Sequence, residues 1–207
     1  LDMEAAAAMH ATGVDPELPI ALPHATSDGA HRAGWASQQG THWVRMYDVL
    51  AGSRRATATT LSDDAITAWG TTTARLGRAL RGFIHPRAIR TLPWDVQHAL
   101  QVRPMLPAIA DGPTRDLVAR TLDRFEQVVS QRWPGLRAQV VHGDLTTDNA
   151  VLDEHGHITG IIDFGDMSHT ALLVDVVSVL DSLGGGRPAD EVLRIARLVL
   201  DGYQRIT

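Results

Sequence analysis

The segment Val141-His142-Gly143-Asp144-Leu145-Thr146-Thr147-Asp148-Asn149-Ala150-Val151-Leu152, with Ile161-Ile162-Asp163-Phe164-Gly165-Asp166 after it, constrains this chain more than any other stretch. Three β-branched runs, Gln139 to Val141, Ala150 to Leu152 and Ile158 to Phe164, are set off by polar turns and read as strands. The turn Asp153-Glu154-His155-Gly156 makes a hairpin of the last two. Asp144 and Asn149 therefore fall on one loop between short strands, and Asp163 just past the hairpin.

Helical periodicity surrounds this β-rich part, so the chain is expected to be α+β. Ser62 is a plausible N-cap for a helix in which Ile66, Trp69, Thr73, Leu76 and Leu80 recur at three- and four-residue intervals as far as Gly82. A second long helix is expected from Thr114 to about Arg132, ended by Pro134-Gly135. Two more are expected at Ala171 to Leu183 and Ala189 to Tyr203, around Gly184-Gly185-Gly186. Between Phe83 and Pro113 five prolines leave room for short helical pieces only, one starting near Asp95. At the N-terminus, Leu1 to Thr12 is rich in helix formers and meets Gly13. Strand-like stretches follow at Ile20 to Ala25 and Gly40 to Leu50, read as a hairpin leading to Ala51-Gly52-Ser53. Leu1 has no helix start signal before it, so the chain is expected to begin inside a longer parent.

Composition excludes several classes of function. The 207 residues carry a formal net charge of -5, which disfavours bulk nucleic-acid binding. There is no Cys, hence no disulfide, thiolate metal site or cysteine nucleophile. All 19 basic residues are Arg, so no lysine-dependent step can be completed by this chain alone. No apolar run is long enough to cross a bilayer and no basic-then-apolar leader is visible, so the expected setting is cytoplasmic, with no membrane partner.

The three loop residues are the groups that phosphoryl transfer needs. That reaction asks for positioning and charge neutralisation, with one carboxylate to orient and deprotonate an acceptor hydroxyl and hard oxygens to hold magnesium. Asp144 suits the first role, Asn149 and Asp163 the second, and His142 is better assigned to the architecture of the loop.

His142-x-Asp144-x-x-x-x-Asn149, with Asp163-Phe164-Gly165 nineteen positions after Asp144, resembles the aminoglycoside phosphotransferase and choline kinase family of the protein-kinase-like superfamily. The resemblance implies a kinase-like fold, mostly the helical C-terminal lobe (residues 53–207) with a β-hairpin catalytic frame, preceded by part of an N-terminal lobe (residues 1–52). It implies ATP as co-substrate, Mg²⁺ as cofactor and a small-molecule acceptor. By the same resemblance Asp175 braces the catalytic loop, and Met46-Tyr47-Asp48-Val49 is the hinge that receives adenine through backbone groups. Glu4 takes the place of the helix acid that pairs with a phosphate-contacting lysine; that lysine and its glycine-rich hairpin would have to lie upstream. Phe83-Ile84-His85-Pro86, Leu92-Pro93-Trp94-Asp95 and Gly160-Ile161-Ile162-Asp163-Phe164-Gly165-Asp166-Met167 resemble hydroxylysine kinases and the phosphotransferase-like domains fused to class III aminotransferases. A fused downstream domain of that kind is thus an expected partner.

Trp94 and Asp95 fall where related enzymes build the acceptor pocket, and Asp166 follows the metal triplet with few cations placed near it. The pocket is therefore expected to be acidic and its ligand an amine: an amino alcohol, a hydroxylated amino acid or an aminoglycoside. Trp43, Trp69 and Trp133 read as packing, and His155 with His157 as exposed turn residues. The arginines of the long helices read as a solvated face. A protein kinase fits less well, because Asp166 to Thr170 runs almost directly into the next helix, without a long activation segment. A non-catalytic kinase-like module that binds a ligand or docks a domain remains the alternative.

Overall fold

The structure is a computed structural model that describes residues 2–53 and 61–207. The N-terminal helix α1 (Asp2–Val14) turns its alanines and Met3 inward. The hairpin that follows pairs β1 (Ala33–Ser37) with β2 (Gly40–Val44) and is exposed along nearly its whole length. This corrects the expected pairing of Ile20 to Ala25 with Gly40 to Leu50. The first of those stretches contains only isolated bridges, Ile20 to Ile161 and Pro23 to Tyr47, because prolines at 19 and 23 remove ladder donors.

Helix α2 (Asp63–Ala79) begins as expected, with Ser62 Oγ accepting from the Ala65 amide at 3.1 Å. Its buried face holds Ile66, Trp69 and Leu76. The proline-broken region contains two 3₁₀ segments, Pro86–Ala88 and Val96–Ala108, the second capped by Asp95. Helix α3 (Gly112–Arg124) runs through one π turn, Phe125–Val129, into α4 (Ser130–Arg132).

Two small antiparallel pairs then frame the loop carrying Asp144: β4 (Ala150–Leu152) with β5 (Ile158–Ile161), the expected hairpin, and β3 (Ala138–Val141) with β6 (Ser168–Ala171). Strand β6 corrects the reading of a helix from Ala171, since α5 spans Leu173–Gly184. Its alternation, with Ser168, Thr170 and Ala171 buried and His169 exposed, contains too little apolar character to register as a strand.

Helix α6 (Ala189–Gln204) packs on α2 at close range. A Cβ on Gly70 would lie 1.9 Å from the Val199 carbonyl oxygen, and one on Gly202 1.9 Å from that of Thr67, so only glycine permits this crossing. One main core joins α1, α2, α5, α6 and the frame strands around Trp69, Leu76, Leu145, Ile161 and Met167. Among the described residues no helix is long and apolar enough to cross a membrane.

Candidate active site

β3 ends in buried Val141, and the chain then turns through Gly143 at φ 85°. A side chain there would be strained, and its Cβ would also fall 2.5 Å from the Asp166 carbonyl oxygen. Buried Asp175, on α5, accepts from the His142 amide at 3.1 Å and from the Gly143 amide at 2.7 Å, so one carboxylate holds two successive peptides of the loop. Burial raises the Asp175 pKa against the opposing influence of His142 and the two amides.

His142 is itself fixed from both ring nitrogens. Nδ1 accepts from the Asp144 amide at 3.3 Å, which leaves Nε2 to donate to the Ile162 carbonyl at 3.0 Å, and the ring lies 4.7 Å from that of Phe164. Both bonds are to the backbone around the loop, one to Asp144 and one to Ile162. A 3₁₀ turn, Thr147–Asn149, completes the loop and is pinned to α5 where the Thr147 amide donates to Ser182 Oγ at 2.8 Å.

Asn149 Nδ2 donates to both the Asp144 carboxylate (2.6 Å) and the Asp144 carbonyl (2.9 Å). This directs Asn149 Oδ1 away from those acceptors. Asp163 is exposed and adopts φ 61°, ψ 66°, the only positive φ at a non-glycine among the described residues, stabilised where its carboxylate accepts from the Gly165 amide. Asp166 lies between these groups. Burial and the charges of Asp144 and Asp163 raise its pKa, opposed by Arg90 and by a hydrogen bond from Trp94. Three carboxylates thus face one locus, with exposed Trp94 at its rim.

A cavity of about 350 Å³ opens beside this locus, lined by Glu4, Arg45, Tyr47, Asp48, Ile162 and Asp163 among others. It brings the expected hinge, the expected helix acid and the expected metal carboxylate together. Glu4 pairs with Arg45. Burial pushes the Glu4 carboxyl up, but the bond and charge of Arg45, together with those of the chain's amino group, outweigh it and the pKa is lowered. The sequence supplied no signal for this partner, which lies 41 residues away. Tyr47 is raised by burial. Exposed Met46 and Val49 flank Tyr47 and Asp48 on the same strand-like segment, where the Met46 carbonyl accepts from His24 and the Asp48 amide donates to Leu22.

Two expectations about the acceptor side are corrected. Asp95 is buried rather than facing a pocket: its oxygens accept from the Gln97 amide at 2.9 Å and from Ser168 and Thr170 at 3.3 Å, so it caps a 3₁₀ segment and holds β6. The locus is also less purely acidic than expected, because Arg90 lies beside Asp166 and donates to the carbonyls of Gly165 and Met167. Trp69 is fully buried, and Trp133 packs against Val141, Ala171 and Val174, but Trp43 is exposed beneath the Arg32 guanidinium. His155 and His157 sit in the β4–β5 turn, where both of their amides donate to the Asp153 carboxylate at 2.9 Å.

A carboxylate clamped by an asparagine, a second carboxylate in a left-handed turn after a hairpin, and a buried aspartate under the loop are thus brought together. The chain belongs to the phosphotransferase enzyme family, which it matches over residues 1–207. It is 26% identical to mouse hydroxylysine kinase over 152 residues, 68% of this chain and 40% of that enzyme. Among solved structures, a microcompartment-associated aminopropanol kinase matches with a TM-score of 0.73 at 18% identity, over 100% of this chain and 66% of that one. An amicoumacin kinase in complex with AMP-PNP and Ca²⁺ matches with a TM-score of 0.71 at 18% identity, over 100% and 63%. The chain therefore spans about two fifths of its curated relative and just under two thirds of these structures.

Proposed function

We propose that the protein transfers the terminal phosphoryl group of ATP, with Mg²⁺, to a hydroxyl of a small amine-bearing molecule. The observation that carries this reading is the double membership of Asp163, which lines the hinge cavity and also faces the carboxylate locus of Asp144 and Asp166. A nucleotide with its base at the hinge would direct its phosphates toward Asp163. The segment at residues 46–48 supports such a pose: backbone groups of Met46 and Asp48 are engaged by His24 and Leu22, and strand alternation turns those of Tyr47 and Val49 the opposite way.

Asn149 Oδ1 and the Asp163 carboxylate fit a divalent cation, because both are hard oxygens and Mg²⁺ completes its shell with phosphates and water. Bound there, the ion would neutralise phosphate charge. Asp144 accepts the proton of the acceptor hydroxyl as its oxygen forms the new P–O bond and the bond to ADP breaks. Asn149 holds the Asp144 carboxylate in place for this, and Asp175 holds the peptides before it. An ammonium on the acceptor complements Asp166, whose ionisation is opposed by two neighbouring carboxylates, and the face of the Trp94 ring beside it would attract the same cation.

The test is ATP turnover by the full-length protein across amino alcohols, hydroxylated amino acids and aminoglycosides. Asp144→Asn is expected to reduce kcat by about 10²- to 10⁴-fold with nucleotide affinity retained. Asp163→Ala is expected to lose turnover and weaken Mg-ATP binding in calorimetry. No turnover on any of these acceptors would leave the ligand-binding module in place of the enzyme.

A further inference from the structure

We propose that Arg90 is a positioning residue that fixes the spacing between Asp144 and Asp163 by clamping the 165–167 turn against Gly143. The proposal rests on the reading of those two aspartates as the catalytic pair.

Arg90 lies 75 residues before Gly165, on an exposed stretch after the short 3₁₀ segment Pro86–Ala88, and no spacing in the sequence connects the two. Its Nε donates to the Met167 carbonyl at 2.9 Å and its Nη2 to the Gly165 carbonyl. The planar guanidinium thus holds the two carbonyls on either side of Asp166, a geometry that a single ammonium cannot reproduce. The carbonyl of Asp166, between them, is packed on Gly143 so closely that a Cβ there would be 2.5 Å away. Gly143 immediately precedes Asp144, while Gly165 donates its amide to Asp163. A continuous path therefore runs from Asp163 through the turn to Gly143 and Asp144, and Arg90 holds its middle.

The path has two clamps with different reach. Asp175 grips His142 and Gly143 from beneath, within the core. Asp163 is braced on one side only: buried His142 donates to the carbonyl of the peptide that joins Ile162 to Asp163, while the Asp163 side chain is exposed and its backbone sits in the left-handed region, so the far side of its turn is left to Arg90. Arg90 also places a positive charge beside Asp166, among Asp144 and Asp163. Because Arg90 is exposed, its loss removes a tether without opening a cavity.

The experiment compares Arg90→Ala and Arg90→Lys with the wild-type full-length protein by amide hydrogen exchange, thermal unfolding and steady-state kinetics. Arg90→Ala is expected to speed exchange at Gly165 and Met167 and also at Gly143, with Tm nearly unchanged. It should lower kcat about tenfold or more, as a small misplacement of reacting groups does, while the KM for ATP changes less than about threefold. Arg90→Lys should recover only part of kcat, having charge without the fork. Faster exchange confined to 165–167, full recovery by lysine, or an unchanged kcat with Gly143 loosened would each overturn the proposal. If the wild-type protein transfers no phosphoryl group at all, the functional reading fails by itself. Exchange at Gly143 then decides whether the clamp exists.

Discussion

The catalytic frame between β3 and α5 and the stretch from Ile20 to Leu50 are both short, polar and poor in regular structure, yet they are held in different ways. In the frame, the loop peptides bond to side chains that arrive from far along the sequence: His142 and Gly143 to Asp175, Thr147 to Ser182. In the earlier stretch, isolated bridges link it to β5 and to itself, and the β1–β2 hairpin presents Trp35 at 62% and Trp43 at 51% exposure. The loop of Asp144 is thus held by long-range contacts of this chain, whereas residues 46–49 are tied down by a few backbone bonds and by the side-chain pairs of Glu4 with Arg45 and His24 with Asp48.

If that contrast is right, the largest effect belongs to Asp175→Ala. It strips partners from two loop amides in a site that cannot hydrate, and the expected loss is about 3–5 kcal/mol by urea unfolding, with activity lost as well. Asp175→Asn keeps an acceptor oxygen and should cost roughly half as much. A loss below about 1 kcal/mol for the alanine variant would mean that the loop is not held from beneath.

Two glycines sharpen the comparison. Gly143 at φ 85° and Gly40 at φ 120° both favour glycine, but the space around Gly40 is open while a Cβ at Gly143 meets Asp166. Gly40→Ala should cost only the backbone strain, roughly 1–2 kcal/mol. Gly143→Ala should add a clash of about 1–3 kcal/mol and lower kcat, because the 165–167 turn must shift. Equal costs at the two positions would dissolve the distinction between the regions.

How legible each region was follows from the same difference. The frame is legible because its chemistry is written at short range: an Asp, an Asn and an Asp at fixed spacing beside short strands. Strand β6 was missed because its pairing with β3 is set by tertiary contact, not by its own pattern. The true partner of β2 was missed because Ala33-Gly34-Trp35-Ala36-Ser37 has little β-branched content and its side chains are exposed. Arg45 and Arg90 could not be singled out among 19 arginines, since what distinguishes each is the group it meets 41 or 75 residues away. The resemblance puts Asp95 in the acceptor region, where the fold uses it as a cap.

The Glu4–Arg45 pair gives the hinge region a pH signature. Because the folded-state pKa of Glu4 is lowered from 4.5, its contribution to stability is present above that value and is lost as pH falls through the folded pKa. Asp15, lowered by its bonds with Arg75, acts with the same sign. Asp166 and Asp175 are raised, so their contribution has the opposite sign and is lost as pH rises from 3.8. Glu4→Gln should therefore flatten the acid limb of a stability profile below pH 4.5 without changing the limb above it. A profile identical to wild type would show that the pair does not hold α1 to the segment that follows β2.

The smallest expected effect is that of Trp43→Ala, because the ring is only half covered, by Gly34 across the hairpin and by the Arg32 guanidinium 4.3 Å from the ring centroid. At 51% exposure the substitution buries little less surface than before, and an exposed cation–π contact contributes about 0.5–1 kcal/mol. Unfolding free energy should fall by no more than about 1 kcal/mol, and the loss should shrink in an Arg32→Ala background, which removes the guanidinium from the ring along with its pair to Asp2. In the frame, by contrast, deleting one partner leaves a buried group unsatisfied. A Trp43→Ala cost above about 2 kcal/mol in the full-length protein would require the hairpin to be packed against another part of that protein. The comparison would then have to be redrawn, with the nucleotide side as firmly built as the catalytic frame.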